Sequence, residues 1–144
     1  MRITTERLIL REFVFDDWQD VLAYQRDPRY LRYYPWTERT ENQARDFVQT
    51  FLDWQDERPR RRFQFAVALP DDGRLIGSCG IRRKEDNDRE ADIGYELAPE
   101  HWGRGYATEA ALAIVDFGFR DLELHRISSW CIADNAASAR VLER

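Results

Sequence analysis

The stretch ADIGYELAPEHWGRGYATEA, Ala91 to Ala110, carries three signals in succession. Ala91 to Leu97 reads as a strand, and the segment from about Tyr106 to Phe119 reads as a helix. Between them lies PEHWGRG, with Gly103 and Gly105 set directly before the helix start. A glycine-rich turn between a strand and a helix can aim successive N–H groups at one point, beside the positive end of the helix dipole. Glycine lets the backbone curl and leaves no side chain in the way of an anion. Arg104 adds a guanidinium of phosphate-matching geometry. Two readings follow: an anion-binding turn for a phosphate or pyrophosphate, or a tight turn with a glycine-assisted cap. The glycines alone decide nothing, because the spacing is neither GxGxxG nor GxxxxGK[ST].

Upstream, Arg62 to Leu69 (RFQFAVAL) alternates Phe63, Phe65, Val67 and Leu69 against Gln64, Ala66 and Ala68, a strand pattern. PDDGR, Pro70 to Arg74, is a turn, and Leu75 to Arg83 the paired strand. EDNDRE is a polar loop before the strand at Ala91 to Leu97, which completes an antiparallel meander. Near the N-terminus, RLILREF (Arg7 to Phe13) reads as a strand, and Asp16 with Gln19 as a capping box for a helix bearing Trp18, Val21, Leu22 and Gln25. Pro28 ends that helix or follows it. Thr40 and Gln43 form a second capping box, opening an amphipathic helix to about Asp56 with Ala44, Phe47, Val48, Phe51 and Leu52 on one face. Downstream, His125 to Ile132 reads as a strand and Ala136 to Arg144 as a helix. The expected order is β α α β β β α β α. Hairpins followed by a crossover helix imply an α+β domain, with a mixed, mostly antiparallel sheet flanked by helices.

The 144 residues suit one domain, and 43% hydrophobic residues suffice for a core. No apolar run reaches the ~20 residues of a membrane span, and MRITTERLIL lacks a secretory core, so the expectation is a soluble, cytoplasmic protein without a membrane partner. Cys79 and Cys131 each stand alone in strand-like settings and read as buried thiols. His101 and His125 have no metal-ligand spacing, so no metal is expected. The net charge of −5 argues against a nucleic-acid partner and suits a cationic one such as an amine. ERPRRRF, Glu57 to Phe63, reads as a solvated basic loop.

Beyond the glycine turn, the chain resembles the GNAT superfamily of N-acetyltransferases. That family's signature is Gln or Arg, two residues, Gly, one residue, then Gly or Ala, at a strand-to-helix junction. Trp102, Gly103, Arg104, Gly105, Tyr106 and Ala107 fit it, with Gly105 and Ala107 at the small positions. Trp102 replaces the usual Gln or Arg, as in the subgroup resembling ribosomal-protein N-terminal (alanine/serine) acetyltransferases. TERLILREFVFDDW resembles that subgroup's first strand and helix. HRISSWCIADNAASARVLER is similar to its later strand and helix, with Asn135, Ser138 and Leu142 in register.

The resemblance implies one acetyl-CoA-binding domain over residues 1–144, whose loop N–H groups from Trp102 to Thr108 (Trp102, Gly103, Arg104, Gly105, Tyr106, Ala107, Thr108) hold the cofactor pyrophosphate. It implies that the strand ending at Leu97 splays from the strand at Ile127 to Ile132, and that the pantetheine arm pairs with backbone near Glu96 to Ala98. Asn135 is implied as a pantetheine contact, or equally an N-cap. The implied reaction is direct attack of a primary amine, a protein N-terminus among the candidates, on the thioester in a ternary complex. Ser138 is implied as the hydrogen-bond donor to the departing sulfur; otherwise it is a helix-surface or capping serine. Some relatives carry a strand Glu where this chain has Trp130. Glu96 is then the carboxylate best placed to act as base, unless it is a solvated strand residue. His101 is a base or an exposed loop residue. The aromatic connection with Tyr30, Tyr33, Tyr34, Pro35 and Trp36 borders the acceptor site or packs over the sheet edge.

Family members continue past VLER with a further strand pair, so the C-terminal strand pair is expected to be lacking here. The edge strand at His125 to Ile132 then calls for covering, as in a homodimer. Two other functions remain open: a catalytically weak CoA-binding module with a structural or sensor role, and a phosphate-binding domain without acyl chemistry.

Overall fold

A computed structural model describes residues 1–32, 39–131 and 138–143, with side chains as far as residue 128. Seven strands form one sheet in sequence order: β1 (Arg2–Thr4), β2 (Ile9–Glu12), β3 (Arg62–Ala68), β4 (Leu75–Lys84), β5 (Asn87–Leu97), β6 (Arg126–Cys131) and β7 (Ser138–Glu143). All neighbours are antiparallel except β5 and β6, which the helix between them makes parallel. Helices α1 (Trp18–Gln25), α2 (Pro28–Leu31) and α3 (Glu41–Gln55) lie between β2 and β3, and α4 (Tyr106–Arg120) between β5 and β6.

The sheet is buried on both faces because the helices divide between them. Alternate strand residues Leu10, Phe65, Val67, Ile81 and Ile93 pack with Ile114 and Phe117 of α4. Phe13, Ala66, Leu75 and Ala98 pack with Val21 and Tyr24 of α1, Tyr30 of α2, and Val48, Phe51 and Trp54 of α3. Gln64, Ala66 and Ala68 are therefore buried as fully as the bulkier residues they alternate with. Thr40 caps α3 as its sequence predicts: the Gln43 amide donates to Thr40 Oγ1 (3.2 Å) and Thr40 N donates to Gln43 Oε1 (2.9 Å). At α1 the expected Asp16–Gln19 box does not form. Asp17 serves instead, accepting from Val14 N (2.8 Å) and, in a fork, from Arg11 Nη1 and Nη2 (2.9 and 2.8 Å). A single turn precedes α1 there, which shifts the cap by one residue.

The α+β class and the mixed, mostly antiparallel sheet are as expected, and three local differences have physical causes. EDNDRE is not a loop: β5 begins at Asn87, opposite Lys84, so two residues make the turn. The basic run is not free in solvent. Arg60 forks onto Glu12, Arg61 pairs with Asp88, and Arg62 pairs with Glu57. Last, residues 138–143 form β7 rather than the final helix of the expected order. A terminal helix under ten residues is marginal by itself, whereas pairing with β6 satisfies a row of backbone donors and acceptors. That pairing runs from Arg126↔Glu143 to Cys131↔Ser138, so the edge assigned to a second copy is covered within the chain.

Candidate active site

The glycine turn has the geometry an anion needs. Gly103 (φ +76°) and Gly105 (φ +81°) both sit in the left-handed region, which disfavours every residue with a Cβ. A Cβ built on Gly103 would meet nothing within 4 Å, so the space over the turn is open. The first bond into α4 runs from Glu109 N to Gly105 O, and the amides of residues 103–108 donate to no backbone acceptor among the described residues. These are the orphan donors of a helix N-terminus, gathered by the two glycines. Thr108 is exposed beside them and Ala107 is buried beneath.

A brace that the sequence alone did not disclose holds this turn. Arg7, just before β2, donates Nη1 to Arg104 O (2.9 Å) and Nε to Glu109 Oε1 (2.7 Å), and its guanidinium lies 4.6 Å from the centre of the Tyr106 ring. The Arg7 amide and the Thr5 hydroxyl donate to Glu109 Oε2. Burial works against the Glu109 charge, but these bonds outweigh it and hold the carboxyl below its usual range. The partners lie about a hundred residues apart in sequence, so no local pattern signals them. Trp102, at the signature position normally held by Gln or Arg, donates its indole N–H to Leu97 O (3.0 Å) and ties the turn to the end of β5.

Beside the turn the sheet opens. β5 pairs with β6 from Glu90↔Arg126 to Ile93↔Ser129, and there the parallel pairing ends, although β5 continues to Leu97 and β6 to Cys131. The splay expected at Leu97 is therefore present. It offers backbone of Gly94 to Leu97 to an extended ligand entering between the strands. Ser138 opens β7 opposite Cys131, beyond the last β5–β6 pair. It stands on a strand, not on the helix expected for it.

On the face toward α3, a cleft of about 470 Å³ lies over β4 and β5. Its floor is built of cross-strand pairs: Ser78↔Glu96, Gly80↔Gly94 and Arg82↔Asp92. Phe47 and Phe51 of α3 form an apolar wall. Gln64 of β3 is buried, donates Nε2 to Ser78 Oγ (3.2 Å), and lies where a side chain at Gly80 would stand, 1.9 Å from a Cβ built there.

Glu96 is not a solvated strand residue. Its Oε2 accepts from Tyr24 Oη (2.5 Å) and Gln25 Nε2 (2.9 Å), and its Oε1 from Tyr30 Oη (3.2 Å). Arg39 Nε donates to Gln25 Oε1 (2.9 Å) and backs this cluster with positive charge. Burial lifts the Glu96 pKa, while the three donors and Arg39 act in the opposite sense without cancelling it. The result is a carboxylate at the end of an open cleft, oriented by fixed donors and more basic than a surface Glu. That is what proton acceptance requires. The donors come from α1 and α2; the sequence places Gln25 on the first helix and Tyr30 in the aromatic connection, and nothing local signals that either meets Glu96.

His101 is not the exposed loop residue that was one expectation for it. It is buried, neither ring nitrogen has a hydrogen-bond partner among the described residues, and burial lowers its pKa. The folded state thus refuses a proton that the unfolded chain accepts below the ordinary value of about 6.5. Stability is full above that pH and is lost as pH falls below it toward the folded value. We expect the melting temperature to drop between about pH 7 and pH 5, and His101→Leu to flatten that drop, with the slope of Tm against pH as the readout. An unchanged slope would assign the acid sensitivity elsewhere.

Tyr33, Tyr34, Trp36 and Asn135 lie outside the described residues, as does the side chain of Ser138. Cys79 is a buried free thiol whose pKa burial raises. Among the described residues no group of three His, Cys, Asp or Glu is arranged to hold a metal, and no helix is long and apolar enough to cross a membrane.

Comparison with known proteins agrees with this geometry. Residues 7–144 match the acetyltransferase (GNAT) domain family. The chain is 38% identical over 144 residues to the uncharacterized N-acetyltransferase YnaD of Bacillus subtilis, covering all of this chain and 81% of that protein. A crystal structure of a GNAT-family acetyltransferase from Bacillus anthracis superposes with a TM-score of 0.75 at 32% identity, over 91% of this chain and 74% of that one. The ribosomal-protein-S5-alanine acetyltransferase of Vibrio fischeri shares the fold, with a TM-score of 0.71 at 19% identity over 90% of this chain and 73% of that one. An open glycine turn at a strand-to-helix junction, a splayed strand beside it and a family match over residues 7–144 lead to one assignment: this chain belongs to the GNAT family of acetyltransferases.

Proposed function

We propose that the chain, as one domain, binds acetyl-CoA and transfers its acetyl group to a primary amine, a protein N-terminus among the candidate acceptors, by direct attack in a ternary complex. The observation that carries this reading is the convergence of two openings on the end of β5. The wedge between β5 and β6 lies beside the glycine turn, and the cleft over β4 and β5 ends at Glu96.

The residues present fit the cofactor. The open amides of residues 103–108 suit its pyrophosphate, with Arg104 and the Thr108 hydroxyl beside them. The stretch of β5 beyond its last pair with β6, up to Leu97, suits the amides of the pantetheine arm, with Asn135 as a further contact. The cofactor supplies an activated thioester. A backbone N–H of the splayed strand then serves as oxyanion donor, and Glu96 takes the proton that the ammonium must lose before nitrogen can attack. Ser138 is assigned the hydrogen bond to the departing thiolate. Its register beyond the last β5–β6 pair supports that role. Tyr33, Tyr34 and Trp36 are assigned to the acceptor side.

The test is release of free thiol from acetyl-CoA in the presence of a panel of primary amines, with mass spectrometry of the acetylated product. Transfer to at least one amine is expected. CoA binding without turnover on any amine would replace this reading with that of a binding module, and failure to bind CoA would remove both.

A further inference from the structure

The cleft has a second charged end that acetyl transfer does not use. Arg82 lies across the strand pair from Asp92, at the opposite end of the cleft floor from Ser78 and Glu96. Arg82 is exposed to the cleft, and among the described residues no carboxylate stands within ion-pair distance of it and no hydrogen-bond acceptor meets its guanidinium. Most of the other arginines near the sheet end on a carboxylate: Arg60 on Glu12, Arg61 on Asp88, Arg62 on Glu57. The Arg82 guanidinium rests 4.7 Å from the centre of the Trp54 ring, and that of Arg62 lies 4.5 Å from the same ring. Packing and the nearby Arg62 charge both disfavour the Arg82 cation, with Asp92 acting in the opposite sense. An anion delivered here would relieve the repulsion and meet a planar fork of donors.

We propose, resting on the acetyl-transfer reading above, that the acceptor is a peptide amino terminus followed at a fixed distance by an acidic side chain, which Arg82 binds. Four residues of β5 separate Asp92 from Glu96, a span of roughly 13 Å at the usual strand rise. A peptide laid extended along β5 over Gly94, with its amine at Glu96, therefore brings its fourth or fifth residue beside Arg82. Gly94 carries no side chain in the middle of the floor, the buried Gln64 amide fills the space over Gly80, and the cleft volume of about 470 Å³ is in the range of a short peptide segment. Asp92 in the same row keeps that end from being strongly cationic, which suits one carboxylate better than a phosphate of higher charge.

The experiment compares two peptides that differ only in Glu or Gln at the fourth and fifth positions, on the full chain and on Arg82→Gln. Two readouts are taken: fluorescence anisotropy of peptide binding in the presence of CoA, and the ratio of kcat/KM for acetyl transfer. The parent is expected to favour the Glu peptide at least ~10-fold in both, the scale of one charge-assisted contact. Arg82→Gln should bring the ratio to near one, and Arg82→Glu should shift preference to a peptide with Lys at those positions. Equal treatment of the Glu and Gln peptides by the parent, or a preference that survives Arg82→Gln, overturns the proposal. Transfer to small amines with no discrimination between peptides leaves acetyl transfer standing and removes only the acidic-acceptor claim. Selective binding without any transfer removes the acetyl-transfer reading and keeps the Arg82 contact. Thermal melts of each variant confirm that the protein remains folded.

Discussion

Gly105→Val loses affinity for acetyl-CoA by at least ~100-fold, the equivalent of losing about two hydrogen bonds to a charged group. Two effects combine at this position. Its φ of +81° is a conformation that a β-branched residue enters at a cost of about 1–2 kcal/mol or more, so the turn shifts toward negative φ and turns its amides away. The new side chain also stands over the turn, where its Cβ comes to 3.2 Å of Arg7 Nη2 and disturbs the brace on Arg104 O. The domain should remain folded, because the strain lies on an exposed turn and is small beside the usual 5–15 kcal/mol of a domain. Gly105→Ala carries less bulk at the same φ and should fall between the parent and the valine variant. Calorimetric titration with acetyl-CoA is the measurement. A folded valine variant with parental affinity would show that the turn amides do not hold the pyrophosphate.

The second large effect concerns the proton. With Glu96 as acceptor, kcat/KM rises with pH and levels off, because only the ionised carboxylate accepts a proton. Burial lifts the pKa of this group, so the acid limb should lie above the ordinary value of about 4.3 for a surface Glu. Glu96→Gln keeps the size, removes the acceptor and should lower the plateau at least ~10-fold, the low side of general-base catalysis. Affinity for acetyl-CoA should stay near the parent's, since the cofactor contacts proposed on β5 are made by backbone. Tyr24→Phe offers a graded companion. It removes one donor from the carboxylate and leaves the proton acceptor in place, so the acid limb should move to higher pH with a smaller loss of plateau rate. Parental rates for Glu96→Gln from pH 6 to 9 would exclude Glu96 as base.

Much of the architecture was legible in the chain because it is written in local periodicity. RFQFAVAL announces β3 by alternation, the Thr40–Gln43 pair announces the start of α3, and Gly103 with Gly105 announces a turn that residues with a Cβ disfavour. Each of these depends on neighbours within a few residues, and the hydrogen bonds that realise them are equally short in sequence. The fate of residues 138–143 was not legible, because strand pairing with β6 competes with local helix propensity and the partner lies outside the segment.

The site divides along the same line. The signature over Trp102 to Ala107 could be read directly, since the turn builds itself. What steadies and tunes the site comes from far away in sequence. Arg7 and Thr5 reach Glu109 on α4. Tyr24, Gln25 and Tyr30 converge on Glu96, and burial among them turns an ordinary strand carboxylate into a more basic one. His101, read as exposed, is buried because the turn of Pro99–His101 folds it inward beside Tyr106. The amino-acid sequence by itself determined the order of the strands and helices from β2 to β6, apart from the short α2, and the site of the glycine turn, since backbone conformation answers to local chemistry. The tertiary structure alone decided how charge is placed. A pKa, a buried histidine and an arginine without a carboxylate partner among the described residues depend on which distant residues come to stand within a few ångströms and how much water they exclude.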